Sequence, residues 1–346
     1  MPPGTTRRSG LHDVFNLHDV FNRAALLFRT VGWPCWIGRM DNPPTSRRPP
    51  AAAPRAGPFP GRTPQSNVRF MDRELSEDEI HRYSRNILLA EVGGTGQARL
   101  LDARVLVVGA GGLGSPLALY LAASGVGTIG LVDGDTVELS NLQRQIAHGT
   151  ARLGENKAVS AAEAVRRLNP DVRVEVHPFY LDAGNATDLV SAYDIVCDGT
   201  DNFATRFLLA DACVLARRTL VSAAVLRFEG QLSTFKPHAG PDAPCYRCLY
   251  PEPPPPGLVP ACAEAGVLGA VTGVMGSLQA TEVLKEILGI GQGLSGRLLI
   301  WDALACAFRV VRLRRDPDCP LCGPHPRLTD LAHHVDDPLK EPACVL

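Results

Sequence analysis

Three features of this chain predict an α/β fold with a mixed, mainly parallel sheet, helices on both faces and a cysteine-clamped C-terminal subdomain. A strand-like apolar run over 105–108 leads directly into the turn Gly109-Ala110-Gly111-Gly112-Leu113-Gly114, and 115–124 then has helical composition. A second apolar run, 128–132, closes a β-α-β unit and ends at Asp133, about 20 residues past the turn. Strand-like and helix-like segments then alternate until two Cys-x-x-Cys pairs, Cys245/Cys248 and Cys319/Cys322, enclose the C-terminal part. The arrangement is Rossmann-like, because a glycine turn between strand and helix presents backbone N–H groups to a phosphate.

Ahead of the first strand, Ser76-Glu77-Asp78-Glu79 reads as a capping box whose helix is expected to run through Tyr83 and Asn86. Gly93-Gly94-Thr95-Gly96 is expected to interrupt before a short helix over 97–102. Past the first unit, 156–168 has alanine and charge at helical spacing and stops at Asn169-Pro170, where proline disfavours continuation. Strands are expected at 172–178 and 194–198, the second ending in the loop Gly199-Thr200-Asp201-Asn202. In open α/β sheets that edge carries the ligand. A helix over 203–217, strands over 220–224 and 230–236, a buried or interface helix over 267–288 and closing strands over 298–302 and 308–313 complete the order. The prolines of 253–256 exclude regular structure and mark a mobile crossing loop. The domain is thus expected to span 71–323, with 324–346 a loosely attached tail.

Residues 1–70 hold ten arginines, no lysine and three acidic residues, and 11–16 recur verbatim at 17–22. Their prolines oppose an amphipathic targeting helix. The region is expected to be a disordered extension or the product of a start placed too early, with Met71 the natural first residue. The remainder is acidic, which does not fit a nucleic-acid-binding body. No segment offers the roughly 20 uninterrupted apolar residues of a membrane span; even 267–288 carries Gln279, Glu282, Lys285 and Glu286. Ten cysteines without a secretory signal indicate reduced thiols and a cytoplasmic setting, where Cys-x-x-Cys pairs bind metal.

The turn glycines Gly109, Gly111, Gly112 and Gly114 indicate a nucleotide, and Asp133 fits a ribose in a dehydrogenase as well as elsewhere. The charges that follow favour ATP. Asp135, Asn141 and Arg144 lie just beyond the second strand and Lys157 opens the next helix, so two cations and an amide approach one sheet edge. There they could offset the repulsion between a carboxylate and the roughly four negative charges of ATP. Asp201 is the candidate Mg²⁺ ligand, since that ion prefers one or two carboxylates with phosphate oxygens and water. Capping the 203–217 helix is its alternative use. Cys245, Cys248, Cys319 and Cys322 have the spacing of a closed, structural Zn²⁺ site. Cys262, just past the polyproline loop, is a candidate reactive thiol, with an inert thiol equally open. Cys197, Cys213 and Cys306 read as packing residues.

Arg82-Tyr83-Ser84-Arg85-Asn86, the glycine turn, Asp133-Gly134-Asp135, 141–145, Lys157, Thr200-Asp201-Asn202, Phe228-Glu229-Gly230-Gln231 and the two Cys-x-x-Cys pairs occur in order over about 74–323. This set resembles the MoeB/ThiF family of ubiquitin-activating-type adenylyltransferases. The resemblance implies a homodimer that uses ATP and Mg²⁺ to adenylate the C-terminal glycine of a ubiquitin-fold sulfur carrier ending in Gly-Gly, MoaD-like or ThiS-like, in molybdenum cofactor or thiamine biosynthesis. It implies Asp133 on the ribose, Asn141, Arg144 and Lys157 on phosphates, and Arg85 reaching the neighbouring subunit's ATP. Asp201, beside Asn202, would hold Mg²⁺ and position the acyl group. It also likens the Cys262 segment to one that forms acyl-thioester or acyl-disulfide links. The family often has Gln where Asn86 stands here. Related chains often continue into a rhodanese domain; this sequence ends about 24 residues past Cys322, so a separate persulfide donor is expected. A tRNA-modifying dehydratase of the same superfamily, an NAD-dependent oxidoreductase and a non-catalytic zinc scaffold binding a ubiquitin-fold partner are the alternatives.

Overall fold

A computed structural model describes residues 73–255 and 265–335. One eight-stranded sheet forms its centre. In chain order the strands are β1 (Arg104–Val108), β2 (Thr128–Val132), β3 (Arg173–His177), β4 (Ile195–Asp198), β5 (Thr219–Leu226), β6 (Glu229–Phe235), β7 (Arg297–Asp302) and β8 (Ala307–Arg312). Their spatial order is β3-β2-β1-β4-β5-β6-β7-β8. The first five are parallel and the remaining pairings antiparallel, as expected from sequence.

β1 is buried on both sides, which is why it reads as an unbroken apolar run. Successive residues of a strand face opposite ways, and β1 divides accordingly. Val105 and Val107 join a core with Leu117 and Leu121 of the Gly114–Ala123 helix, Val165 of Lys157–Leu168 and Met275 of Gly269–Leu288. Leu106 and Val108 join a second core with Phe207 and Leu209 of Phe203–Leu215 and Val190 of Ala186–Ser191. The Ala186–Ser191 helix was not anticipated in the sequence. Because β1 lies between β2 and β4, its connection leaves in one direction and the next returns in the other. This opens a crevice at the C-terminal ends of those three strands.

Four sequence expectations need correction. Cys306, read as a packing residue, is exposed in the turn between β7 and β8. The first helix ends at Arg82 and a separate turn of helix, Ser84–Ile87, follows. The break is at Tyr83, which is 2% exposed and whose hydroxyl accepts a hydrogen bond from Asn169 at 2.8 Å. Burying that ring fixes the chain direction there at the expense of helix continuity. Gly93-Gly94-Thr95-Gly96 does not interrupt a helix but begins one, Gly93–Asp102, with Gly96 packed against Leu288 and Val92. The segment after Cys322 is docked as far as it is described, since Leu331 and His334 are 6% and 4% exposed. Its anchors are long-range partners that the local composition does not reveal.

Leu131 is fully buried in the first core, whereas Leu304 is 76% exposed. Leu131→Ala is expected to cost about 2–5 kcal/mol in urea unfolding, and Leu304→Ala less than about 0.5 kcal/mol.

Candidate functional site

The crevice is built from three turns. Gly109 has φ +90° and donates its N–H to Val132 O at 2.8 Å. A Cβ there would lie 2.8 Å from Gly199 O, so the turn after β1 rests directly on the turn after β4. Gly111 and Gly112 follow, and Gly114 opens a ten-residue helix without a side-chain cap; Ser115 N–H already donates to Gly111 O at 2.9 Å and Pro116 has no N–H, so the glycine turn itself is what can face an anion. Gln145 is buried beside Gly111, and its Oε1 has no hydrogen-bond partner among the described residues. An unpaired buried acceptor in this position suits a polar ligand.

Asp133 ends β2 with both oxygens engaged: Oδ2 accepts from Ala110 N–H at 2.8 Å and Oδ1 from Asp135 N–H at 2.9 Å. Burial pushes its carboxyl above the usual carboxylate range, against the opposing pull of Lys157. Lys157 is itself buried, at the start of its helix, with Nζ 2.7 Å from Asp135 Oδ2. Tyr180 donates to Asp135 Oδ1 at 2.7 Å and covers Gly134, where a Cβ would lie 2.6 Å from its ring. Burial works against the Asp135 charge, but Lys157 and Tyr180 more than offset it and hold the carboxyl below its ordinary value. The same bond pushes the Tyr180 hydroxyl up to about 12. Tyr180 carried no sequence signal.

Asn141 is buried and organises its own turn, accepting from Glu138 N–H at 3.2 Å. Arg144 bonds back to Ser140 O at 3.1 Å. This turn meets the long helix at Gly269, where a Cβ would lie 2.2 Å from Gln143 O. Only a glycine permits that approach.

The third turn follows β4. Asp198, 1% exposed, accepts from Thr200 N–H, Thr200 Oγ1 and Ser222 Oγ at 3.0, 2.7 and 2.7 Å. Arg206 pairs with it at 3.4 Å and donates to Thr200 O at 2.6 Å. Gln279 of the long helix donates to Asp198 O and Val221 O. Asp198, Arg206 and Ser222, assigned no role from sequence, hold this turn from behind and leave Asp201 exposed at the crevice. The helix that follows is capped by Asn202, whose Oδ1 accepts from Thr205 N–H at 2.8 Å. Capping by Asp201 is therefore overturned: among the described residues its carboxylate has no hydrogen-bond partner and is available to a cation.

Arg85 is exposed on Ser84–Ile87 and makes no hydrogen bond or ion pair to this cluster. Cys262 lies outside the described residues.

The four cysteines do come together. Sγ separations are 3.8 Å for Cys245–Cys248 and 3.5 Å for both Cys245–Cys319 and Cys248–Cys322, and all four lie within 4.8 Å of one another. Zn–S bonds of about 2.3 Å arranged tetrahedrally require edges of about 3.8 Å, so the set fits zinc. Hydrogen bonding among the four sulfurs pulls the Cys319 and Cys322 thiols down and pushes those of Cys245 and Cys248 up. Arg247, inside the first pair, forks onto fully buried Asp211 of the Phe203–Leu215 helix at 2.8 and 2.7 Å. His333 and His334 complete the cluster at 3.0 and 2.8 Å from Asp211 Oδ2. The cysteine clamp is thus tied to the helix that carries the Asp201 loop.

The profile of the ThiF family matches residues 83–321. The chain belongs to the ThiF family. Among curated relatives it is 58% identical to the adenylyltransferase and sulfurtransferase MOCS3 of Bos taurus, over 74% of this chain and 56% of that protein. It is 53% identical to the probable adenylyltransferase/sulfurtransferase MoeZ of Mycobacterium tuberculosis, over 71% and 63%. It is 49% identical to the sulfur carrier protein adenylyltransferase of Thermus thermophilus, over 75% and 96%. The chain spans about half the length of the MOCS3 relatives it matches. Among solved structures, PaaA aligns at TM-score 0.60 with 24% identity, covering 72% of this chain and 78% of PaaA. MccB of E. coli with ATP aligns at 0.61 with 23% identity, covering 70% and 74%. At those identities the likeness concerns the fold.

Asp211→Asn is expected to leave the buried Arg247 charge uncompensated and to destabilise the chain by about 3–5 kcal/mol in denaturant melts. Burial opposes the Asp211 charge, but His334 and Arg247 hold its carboxyl below the ordinary carboxylate value. Its contribution is therefore complete above about pH 4 and lost as pH falls through the folded-state value. The Asp211→Asn variant should show a shallower loss of stability on acidification.

Proposed function

We propose that this protein adenylates the C-terminal glycine of a ubiquitin-fold sulfur carrier ending in Gly-Gly: carrier carboxylate + ATP → carrier acyl-adenylate + pyrophosphate. The observation that carries this reading is the convergence of the glycine turn, the Asp133–Asp135–Lys157 group and the exposed Asp201 carboxylate on one sheet edge. The name of the Thermus thermophilus relative, 96% of which aligns, supports the same reaction.

In this reading the carrier carboxylate attacks the α-phosphorus and pyrophosphate leaves, so the acyl carbon acquires a leaving group that sulfur can displace. Charge neutralisation and alignment dominate such a transfer, and no histidine base is required. Asp133 accepts from the ribose, and the turn glycines with Asn141, Arg144 and Lys157 engage the phosphates. Lys157 exchanges part of its pairing with Asp135 for phosphate oxygens. Asp201 would hold Mg²⁺, which would supply charge to offset that of the phosphates. Asn202 holds the Asp201 loop through its cap, and Cys245, Cys248, Cys319 and Cys322 would hold Zn²⁺ as a structural clamp on the C-terminal segments.

The partner assignments follow from this reading. The protein acts as a homodimer in which Arg85 enters the neighbouring subunit's site, consistent with its exposure here and its lack of a partner within the described residues. Cys262 would take the covalent link after adenylation, and sulfur would come from a persulfide donor. The carrier in this reading is MoaD-like or ThiS-like, serving molybdenum cofactor or thiamine biosynthesis. No helix among the described residues is long and apolar enough to cross a membrane, and the reduced thiols suit the cytoplasm.

Carrier-dependent exchange of labelled pyrophosphate into ATP tests the proposal. Asp201→Ala is expected to lower exchange by roughly 10²–10³-fold and Cys262→Ala to preserve it. Exchange that is absent with both MoaD-like and ThiS-like carriers would direct attention to an RNA-linked carboxylate or to a scaffold role.

A further inference from the structure

His148 lies beneath the phosphate turn and has no part in the chemistry above. Its Nε2 is 3.0 Å from Ala110 O and its Nδ1 2.9 Å from Ser160 Oγ, while its backbone N–H donates to Gln145 O at 3.1 Å. A carbonyl can only accept, so Nε2 carries the proton and Nδ1 accepts from the serine; the tautomer is set by the partners. The ring therefore joins three segments: the glycine turn, the helix begun by Lys157 and the turn carrying Arg144 and Gln145.

We propose that His148 is a positioning residue for ATP, a neutral strut that sets the Ala110–Gly111 peptide plane. In a trans peptide the carbonyl and the following N–H point in opposite directions. Anchoring Ala110 O on His148 therefore turns the Gly111 N–H away from the ring. The preceding peptide is held as well, by Ala110 N–H donating to Asp133 Oδ2. One plane is fixed by a carboxylate and the next by the imidazole, with the Ser115 hydroxyl a longer second donor to Ala110 O at 3.3 Å, so the turn is oriented before the nucleotide arrives. Burial lowers the basicity of His148, and Lys157 adds to that effect, in keeping with a neutral ring. Ser160 is 2% exposed and fixes the tautomer from the far side.

This inference rests on the proposed use of ATP, and the test separates the two. Equilibrium binding of ATP, without carrier, is measured on the full zinc-loaded protein for the wild type, His148→Ala, His148→Gln and Ser160→Ala. His148→Ala is expected to weaken ATP binding roughly tenfold, the equivalent of one hydrogen bond. His148→Gln, which can return an amide N–H to Ala110 O, should recover most of that loss. Ser160→Ala should fall between, which keeps the test decisive if His148→Ala does not fold. In exchange assays the KM for ATP should rise while the KM for the carrier stays unchanged. Undiminished ATP binding by His148→Ala, or by Ser160→Ala where His148→Ala is not obtained, would overturn the strut, as would equal losses in the alanine and glutamine variants. Failure of the wild type itself to bind ATP would overturn the functional reading and the strut with it.

Discussion

The contact between two backbone turns governs this site. Gly109 follows the central strand, Gly199 follows its neighbour β4, and a single methyl group at Gly109 would sit 2.8 Å from the Gly199 carbonyl oxygen. Parallel pairing of β1 with both β2 and β4 brings the strand ends level. The absence of a side chain then lets the turns themselves touch. From that contact the phosphate-type turn, the Asp133–Asp135 corner and the Asp201 loop acquire fixed relative positions. The sheet's parallel half thus determines where charge can be gathered.

Holding those turns in place requires buried polar groups behind them. Asp198 gathers three hydrogen bonds and an arginine to set the loop before Asp201. Gln279 crosses from the long helix to grip the same strand end. One helix further on, Asp211 and Arg247 link the cysteine clamp to the body. Each group would be costly to leave unpaired in the interior. The network therefore favours one arrangement of the crevice over compact alternatives. The four cysteines join segments about 70 residues apart in sequence, and through Arg247 and Asp211 they are coupled to the same network.

The parallel strands and the glycine turn were legible in the sequence because burial on two faces writes itself as an apolar run and because a tight backbone approach demands glycine. The cysteine set was legible from spacing alone. Much of the supporting structure was not. Tyr83 breaks a well-capped helix because its hydroxyl finds Asn169, 86 positions away. His148 carries no motif, and its significance comes from Ala110 and Ser160 meeting on either side. Gly93-Gly94-Thr95-Gly96, locally a breaker, is helical because Gly96 packs against Leu288. The His333–His334 pair reads as tail until Asp211 is seen beneath it. Local pattern reports burial and turn chemistry, whereas these features depend on partners brought together only by the completed sheet.

The most direct measurement of the central claim is intact mass spectrometry of a Gly-Gly carrier after a single turnover with this protein, ATP and Mg²⁺, quenched in acid. The account predicts a carrier species heavier by one adenylyl group, formed with stoichiometric pyrophosphate, that disappears on addition of hydroxylamine and leaves a C-terminal hydroxamate. ATP consumed to ADP and phosphate, or a carrier of unchanged mass while ATP is bound, would contradict it.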